Sequence, residues 1–267
     1  MGIGKKARRF IMRFDGKAFC NLMNLANAYS RQEARFSFDQ GKGLFAYYDK
    51  ARPNDRLAFS HKDRAFVYQR GPQRRFNTLW SEYLLARVPF EPGDTVIDVG
   101  ANIGEIGVLL NKKFPALNYL AYEPSQAEFR CLEENCPFGT LRNVGLWDSD
   151  GELEFFVAAE TADSSLIRPS NFSQTVKVPV RRLDSEVDGP VKLLKLEAEG
   201  AEPEIALGMG EKIRNVHYIA ADVGFERGVK QESTFAPVVN YLTGKGFEVV
   251  DIGFPRMTVL FRNTALK

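Results

Sequence analysis

The stretch Thr95-Val96-Ile97-Asp98-Val99-Gly100-Ala101-Asn102-Ile103-Gly104 constrains the fold more than any other part of this 267-residue chain. Its first five residues are β-branched and apolar apart from Asp98, as in a strand buried on both faces. Gly100 and Gly104 then permit a tight turn and a close backbone approach to a ligand. Ile106, Val108, Leu109 and Leu110 continue as a helix whose free N–H groups and positive dipole end face that ligand. Glu123 closes a second strand over residues 118–122, about twenty residues beyond the glycines, where an acid reads ribose hydroxyls. A strand, a glycine turn, a helix and a strand ending in an acid outline a nucleoside-cofactor site.

Glycine spacing selects the nucleoside. A dinucleotide fingerprint, G-x-G-x-x-G, carries a third glycine and a turn shaped around pyrophosphate. Here the run is D-V-G-A-N-I-G, with Asp98 ending the strand and Asn102 where a glycine would stand. An acid there repels pyrophosphate but can order the ammonium of an amino-acid moiety, directly or through water. The pattern points to S-adenosylmethionine rather than NAD. On this reading Gly100, Ala101 and Gly104 line the methionine end, and Asn102 caps the next helix or touches the carboxylate.

The length suits one large or two small domains. No apolar run reaches the length of a membrane span, and the basic N-terminus lacks the apolar core of a signal peptide, so the sequence reads as cytoplasmic. Cys20, Cys131 and Cys136 have no histidine at zinc-ligand spacing and read as free thiols. No tight acid cluster marks a cation site, so no metal is assigned. The net charge of +2 conceals an asymmetry: residues 1–75 hold 17 Lys/Arg against 6 Asp/Glu, and residues 76–267 hold 19 against 28. Such a basic front either meets an anionic partner or is solvated or matched internally by the acidic body.

In chain order, Lys5, Lys6, Arg8, Arg9 and Arg13 are interleaved with Phe10, Ile11, Met12 and Phe14. Phe19, Leu22, Met23, Ala26 and Tyr29 then recur at helical spacing. Residues 1–30 therefore read as a basic approach to an amphipathic helix. It either contacts a membrane surface or docks on its own domain or on a second subunit in a homodimer, with docking slightly preferred. Residues 36–71 alternate as a β-meander of three or four short strands, with His61 in a solvated turn. Residues 1–78 thus form a basic helix and meander cap that helps build a substrate cleft, and residues 79–267 form the main domain.

That domain alternates strands at 95–99, 118–122 and 140–147 with helices from Ile103 and over 126–134, as in a parallel sheet covered on both faces. Residues 152–157 and 175–182 read as hairpin-like strands. Between them, polar residues 160–173, including Asp163, Ser164, Ser165, Arg168 and Asn171, read as a mobile loop over the site. A strand at 191–196 leads into Glu197-Ala198-Glu199-Gly200-Ala201-Glu202 and a helix from near Pro203. A strand at 216–221 ends at Asp222, a helix covers 235–245, and a terminal hairpin pairs 247–252 with 257–261 around Gly253 and Pro255. The fold class is α/β, a Rossmann-like sheet of six or seven strands with an antiparallel last strand.

Five segments together resemble the FkbM family of S-adenosylmethionine-dependent methyltransferases. They are residues 96–104, Tyr122-Glu123-Pro124, Asn143-Val144-Gly145-Leu146-Trp147-Asp148 before Gly151, Leu183-Asp184, and residues 194–202. The resemblance is collinear over about residues 80–262. It implies a class I methyltransferase fold, a seven-stranded mostly parallel sheet with an antiparallel last strand. It also implies O-methylation of sugar or polyketide hydroxyls, often in lipopolysaccharide or other surface-glycan assembly. The family has Asp-Val-Glu-Gly where this chain has Glu197-Ala198-Glu199-Gly200. The segment 1–75 carries no matching motif.

Methyl transfer from a sulfonium requires an acceptor oxygen in line, exclusion of water, and removal of a proton from a hydroxyl acceptor. Acids at strand ends are therefore the candidates. Glu197 is the first choice for base or substrate orienter and Asp222 the second, with Lys195 steering the acceptor oxygen. Glu199 and Glu202 cap or charge the following helix. Glu123, beside Pro124, takes the ribose hydroxyls, Asp98 sits near the ammonium, and Asp148 lies toward adenine. His217, inside an apolar strand, reads as structural. The expected acceptor is a carbohydrate or glycoconjugate. A nucleic-acid methyltransferase is disfavoured because no N-P-P-Y-type motif or base-stacking platform follows the fourth strand. A non-catalytic binding module and a nicotinamide dehydrogenase rank lower.

Overall fold

The computed structural model describes residues 4–52, 55–158, 164–254 and 256–266. Two helices open it, α1 (Lys5–Ile11) and α2 (Gly16–Tyr29), followed by strands β1 (Ala34–Asp39), β2 (Leu44–Asp49) and β3 (Arg56–Phe59). These strands form an antiparallel meander in the order β1-β2-β3. Phe66 and Tyr68, expected to extend it, belong instead to a helical turn, α3 (Arg64–Val67), and the residue after it. Four residues satisfy either periodicity, and burial of Ala65 and Tyr68 selects the helix. Helix α4 (Gln73–Glu82) then leads into the main domain.

Strand β4 (Thr95–Val99), α5 (Glu105–Lys113), β5 (Asn118–Tyr122), α6 (Gln126–Asn135) and β6 (Thr140–Arg142) begin that domain. The strand expected over 140–147 is divided. β7 (Gly145–Trp147) leaves the main sheet and joins β8 (Gly151–Val157) and β9 (Gln174–Arg182) in a small sheet ordered β7-β9-β8. Asn143 causes the break: its side-chain amide donates to Glu123 O at 2.8 Å and Pro124 O at 3.2 Å, holding the chain against the exit of β5. The remainder is α7 (Leu183–Glu186), β10 (Val191–Leu196), α8 (Glu202–Gly208), β11 (Val216–Asp222), α9 (Phe235–Gly244), β12 (Phe247–Gly253) and β13 (Thr258–Asn263).

The main sheet has the order β12-β13-β11-β10-β4-β5-β6. Its pairs are parallel from β11 to β6, and β13 runs antiparallel to both neighbours. This is the α/β class I methyltransferase topology. Alternation along each strand sends side chains to two layers. Ile97, Leu194, Ile219 and Val259 pack on one face, while Val96, Leu193, Ala220 and Leu260 pack on the other. Each fully buried Leu or Ile contributes about 1.5–3 kcal/mol.

The N-terminal segment has its own apolar core, built from Phe19, Met23, Phe36, Phe45, Phe59 and Tyr68, which also takes in Ile103 and Cys131 of the main domain. Asn135 seals the edge of β3 with both functions of its amide. It accepts from Ala58 N at 2.7 Å and donates to Ala58 O at 2.9 Å, pairing an otherwise open strand edge. All three cysteines are free and buried. The described residues contain no group of His, Cys, Asp and Glu able to hold a metal, and no helix long and apolar enough to cross a membrane.

Candidate active site

The exits of β4 and β10 meet at the carboxyl edge of the sheet. Gly100 adopts φ +67°, and a Cβ there would lie 1.8 Å from Glu197 O, so only glycine lets the two exits touch. Lys195 fastens them from inside. Its ammonium, 2% exposed, donates to Val99 O at 3.0 Å and Gly100 O at 2.8 Å, and pairs with Asp98 at 2.9 Å and Glu197 at 3.1 Å. Asp98 is fully buried and also accepts the Tyr119 hydroxyl at 2.6 Å.

A cleft of about 920 Å³, open solvent included, begins at this junction. Of the residues expected at the site, Gly100, Ala101, Asn102, Glu123, Pro124, Lys195 and Glu197 line it. Asp98, Gly104, Asp148 and Asp222 are not among its lining. Asp98 turns to Lys195 and Tyr119. A Cβ on Gly104 would meet Cys136 Sγ at 2.6 Å, which makes this glycine a helix-packing position. The Asp148 carboxylate accepts the Ser149 hydroxyl, and its carbonyl is taken by Arg182. Asp222 stands behind Glu197: Arg256 Nε donates to its Oδ2 at 2.5 Å, and the same guanidinium donates to Glu197 Oε1. Burial pushes the Asp222 carboxyl up to about 6, against the pull of the Gly224 N–H.

Glu123 closes the other side. Its two carboxylate oxygens accept Asn102 N and Ser125 N, each at 2.8 Å, which fixes its direction. Burial pushes its carboxyl up to about 7, only partly offset by the Ser125 N–H. The next wall comes from the N-terminal segment. Arg64 donates to Asn102 Oδ1, and Arg64 and Arg75 both reach Glu105, which accepts Tyr68 Oη at 2.6 Å. Arg64 Nε is buried without a partner among the described residues, an unspent donor in a cleft-lining side chain.

His61 corrects the expectation of a solvated turn residue. Its Nε2 lies 2.9 Å from Glu128 Oε1, which also accepts Ser60 Oγ at 2.7 Å. Burial works to raise Glu128, but the bonds from His61, Ser125 and Ser60 outweigh it and hold the carboxyl at about 2.

Glu202 accepts Ala198 N at 2.8 Å and Gly200 N at 3.3 Å, closing the turn after β10. Ser165 Oγ donates to Glu199 O at 2.9 Å, tying the small sheet's connection to that turn. Ser164 and Ser165 border the cleft, whereas residues 159–163, in the segment expected to form a loop, lie outside the described residues.

The chain matches the methyltransferase FkbM domain over residues 98–249, more than half its length. It belongs to the FkbM methyltransferase family. The enzymes of this family use S-adenosylmethionine as methyl donor. The 31-O-demethyl-FK506 methyltransferase FkbM of Streptomyces tacrolimicus is 25% identical over 210 residues, covering 63% of this chain and 78% of that protein. The hexuronic acid methyltransferase AglP of Haloferax volcanii is 29% identical over 140 residues, covering 50% of this chain and 57% of that protein. A crystal structure of methyltransferase FkbM from Methylobacillus flagellatus KT aligns with a TM-score of 0.49 at 17% identity. That alignment covers 66% of this chain and 45% of that one.

The cleft residues of this FkbM-family methyltransferase fit such a donor chemically. A glycine turn admits close approach, a buried carboxylate is aimed by two backbone N–H groups, and the Arg64 Nε lacks an acceptor among the described residues. Sequence reading missed Arg256, Arg64, Arg75, Glu105 and Glu128. Arg256 did carry a signal. It stands just before a strand antiparallel to its neighbours, and such a strand begins at the carboxyl edge where the parallel strands end. Arg64 and Arg75 carried none beyond charge, because their contacts to Glu105 span 41 and 30 positions.

Proposed function

We propose that this enzyme O-methylates a sugar hydroxyl of a carbohydrate or glycoconjugate, in the assembly of a surface glycan. The observation that carries the reading is the Glu197 carboxylate on the cleft wall, one strand across from the Gly100 turn. A hydroxyl must lose its proton as its oxygen is methylated, and a carboxylate beside the donor turn is a group that can take it. The two relatives, a 31-O-demethyl-FK506 methyltransferase and a hexuronic acid methyltransferase, support an oxygen acceptor.

S-adenosylmethionine supplies a methyl group already activated on a sulfonium. The chain's own residues do the rest. Glu123, with Pro124 beside it, accepts the ribose hydroxyls, while Gly100, Ala101 and Asn102 offer backbone to the amino-acid end. Asp98 acts through Lys195, whose bonds to Val99 O and Gly100 O set the turn. Glu197 holds the acceptor hydroxyl and receives its proton on a carboxylate oxygen. Arg256 and Asp222 position Glu197 from behind. Ser164 and Ser165 present polar groups to a polar acceptor.

The test is transfer of labelled methyl to a panel of hexoses and hexuronic acids, with Glu197→Gln alongside. Methyl ethers form with the native enzyme, and Glu197→Gln loses turnover while still binding S-adenosylhomocysteine in a calorimetric titration. Labelled product only on nitrogen or carbon acceptors, or full turnover by Glu197→Gln, would overturn the reading.

A further inference from the structure

The basic front divides into two populations. Lys42 and Arg56 pair with Glu134, Arg64 and Arg75 with Glu105, and Lys112 with Asp55, so part of the opposite charge is consumed between the N-terminal segment and the body. Apart from Arg8, which pairs with Asp63, the cations of the first thirty residues behave differently. Lys5, Lys6, Arg9, Arg13 and Lys17 are all exposed, and none makes an ion pair among the described residues. Asp15 is the single acid before Glu33.

Apolar groups stand exposed among these charges. On α1 and just after it, Phe10 is 51% exposed and Phe14 36%, and the two rings meet edge to face at 5.4 Å. Ile11 is the one buried residue of α1. The outward face of α2 carries Ala18, Asn21, Leu25, Ala28 and Tyr29. Leu25 is 70% exposed and Tyr29 93%, and Lys17 is the sole charge on the helix. A solvated helix of a soluble domain carries charge on its outward face. This one is nearly neutral and lies beside a dense cationic patch.

We propose that α1 and the outward face of α2 form a docking surface for an anionic lipid membrane. Charge complementarity selects the occupant. Five unpaired cations meet anionic headgroups while Phe10, Phe14, Leu25 and Tyr29 enter the interfacial zone, the arrangement of an interfacial amphipathic element. A nucleic-acid backbone would satisfy the cations but leave Leu25 and the Phe10–Phe14 pair in water.

The placement also connects the surface to the cleft. Arg8 stacks over Phe66 at 4.3 Å and pairs with Asp63, and Lys62 Nζ donates to Phe14 O at 2.8 Å. These bonds fasten α1 to the turn that precedes Arg64, and Arg64 lines the cleft. A membrane bound at α1 therefore lies one short turn away from the cleft wall, positioned for an acceptor carried on a lipid.

The test is co-sedimentation of the full chain with vesicles of phosphatidylcholine alone, or containing roughly one quarter phosphatidylglycerol, enough anionic lipid to set a negative surface potential. The expected result is binding to the anionic vesicles, weak binding to the neutral ones, and release by salt. Each cation contributes about fivefold, so Lys5→Gln with Lys6→Gln and Arg9→Gln lowers binding about a hundredfold. Phe10→Ser with Phe14→Ser lowers it as well. All five side chains are exposed, so an unchanged melting temperature certifies that the variants fold. Failure of the native protein to sediment with anionic vesicles overturns the proposal. So does vesicle binding indifferent to the Phe10 and Phe14 changes while duplex RNA binds at the same salt, which assigns the patch to a polyanion. A concentration-dependent dimer that buries Leu25 and Tyr29 overturns it in favour of a subunit interface. The readout is sedimentation, so the methyltransferase reading stands or falls separately.

Discussion

Replacing Gly100 with alanine should separate the strand exits that define the cleft, and Gly93 supplies the control. Both glycines have positive φ, +67° and +89°. A Cβ at Gly93 meets nothing within 4 Å, whereas at Gly100 it lies 1.8 Å from Glu197 O and 3.0 Å from Glu197 C. Left-handed backbone costs a non-glycine residue about 1–2 kcal/mol, which both variants bear. Gly100→Ala adds a collision with backbone that Lys195 holds in place, and overpacking of this kind costs about 1–3 kcal/mol more. The expected totals are about 1–2 kcal/mol for Gly93→Ala and about 2–5 kcal/mol for Gly100→Ala. For a chain of this size each kcal/mol lowers the melting temperature by about 2–4 °C, so the two variants separate clearly in a thermal melt. Calorimetric titration gives the second readout: Gly93→Ala binds S-adenosylhomocysteine like the native enzyme and Gly100→Ala does not. Equal melting temperatures for the two variants, with nucleoside binding intact in both, would refute the argument that the β4 and β10 exits are in forced contact.

Other groups make further predictions. Burial holds Glu123 protonated up to about pH 7, against 4.5 for the free side chain, so the native state binds the extra proton in that window. Its contribution, about 3 kcal/mol, is complete below about pH 4.5 and is lost as pH rises through 7. Glu123→Gln should therefore flatten the stability profile of urea unfolding between those limits, and the native enzyme should bind S-adenosylhomocysteine more tightly as Glu123 ionises. Lys195→Met strips the buried Asp98 of its cation and should cost about 3–5 kcal/mol in urea unfolding, with part recovered on adding Asp98→Asn. Arg256→Met frees Glu197 and Asp222 from each other; it should lower kcat with little effect on S-adenosylhomocysteine affinity, and Arg256→Lys should recover only part of the rate, because one ammonium cannot reproduce the forked contact.

The parts of the site built from neighbouring residues were legible in the sequence. Thr95 to Gly104, Tyr122-Glu123-Pro124 and the run after β10 each combine a strand, a turn residue and an acid, and local chemistry decides their shape. The seven-stranded, mostly parallel sheet with its antiparallel last strand followed from strand alternation together with the resemblance. Contacts between distant segments were not legible. Nothing in Ser60 or His61 announces that they grip Glu128, and nothing in Ala58 announces that Asn135 caps it across 77 positions. The division of 140–147 turned on one side chain, Asn143, whose amide found carbonyls at the end of β5. In the sequence that residue was equally compatible with a continuous strand.

The family match begins at Asp98, yet the cleft does not. Arg64 and Arg75 come from upstream and counter the charge of Glu105, while Ser60 Oγ donates to Glu128 and His61 Nε2 lies 2.9 Å from the same carboxylate. A shortened enzyme starting at the shared core would open this side of the cleft to water and strip two carboxylates facing it of their upstream partners. The part of the chain upstream of the family match would then be a structural member of the pocket rather than an appendage. The smallest version able to hold its ligands must begin before Ser60, and chimeras joined at the edge of the shared core would exchange a wall of the cleft along with the N-terminus.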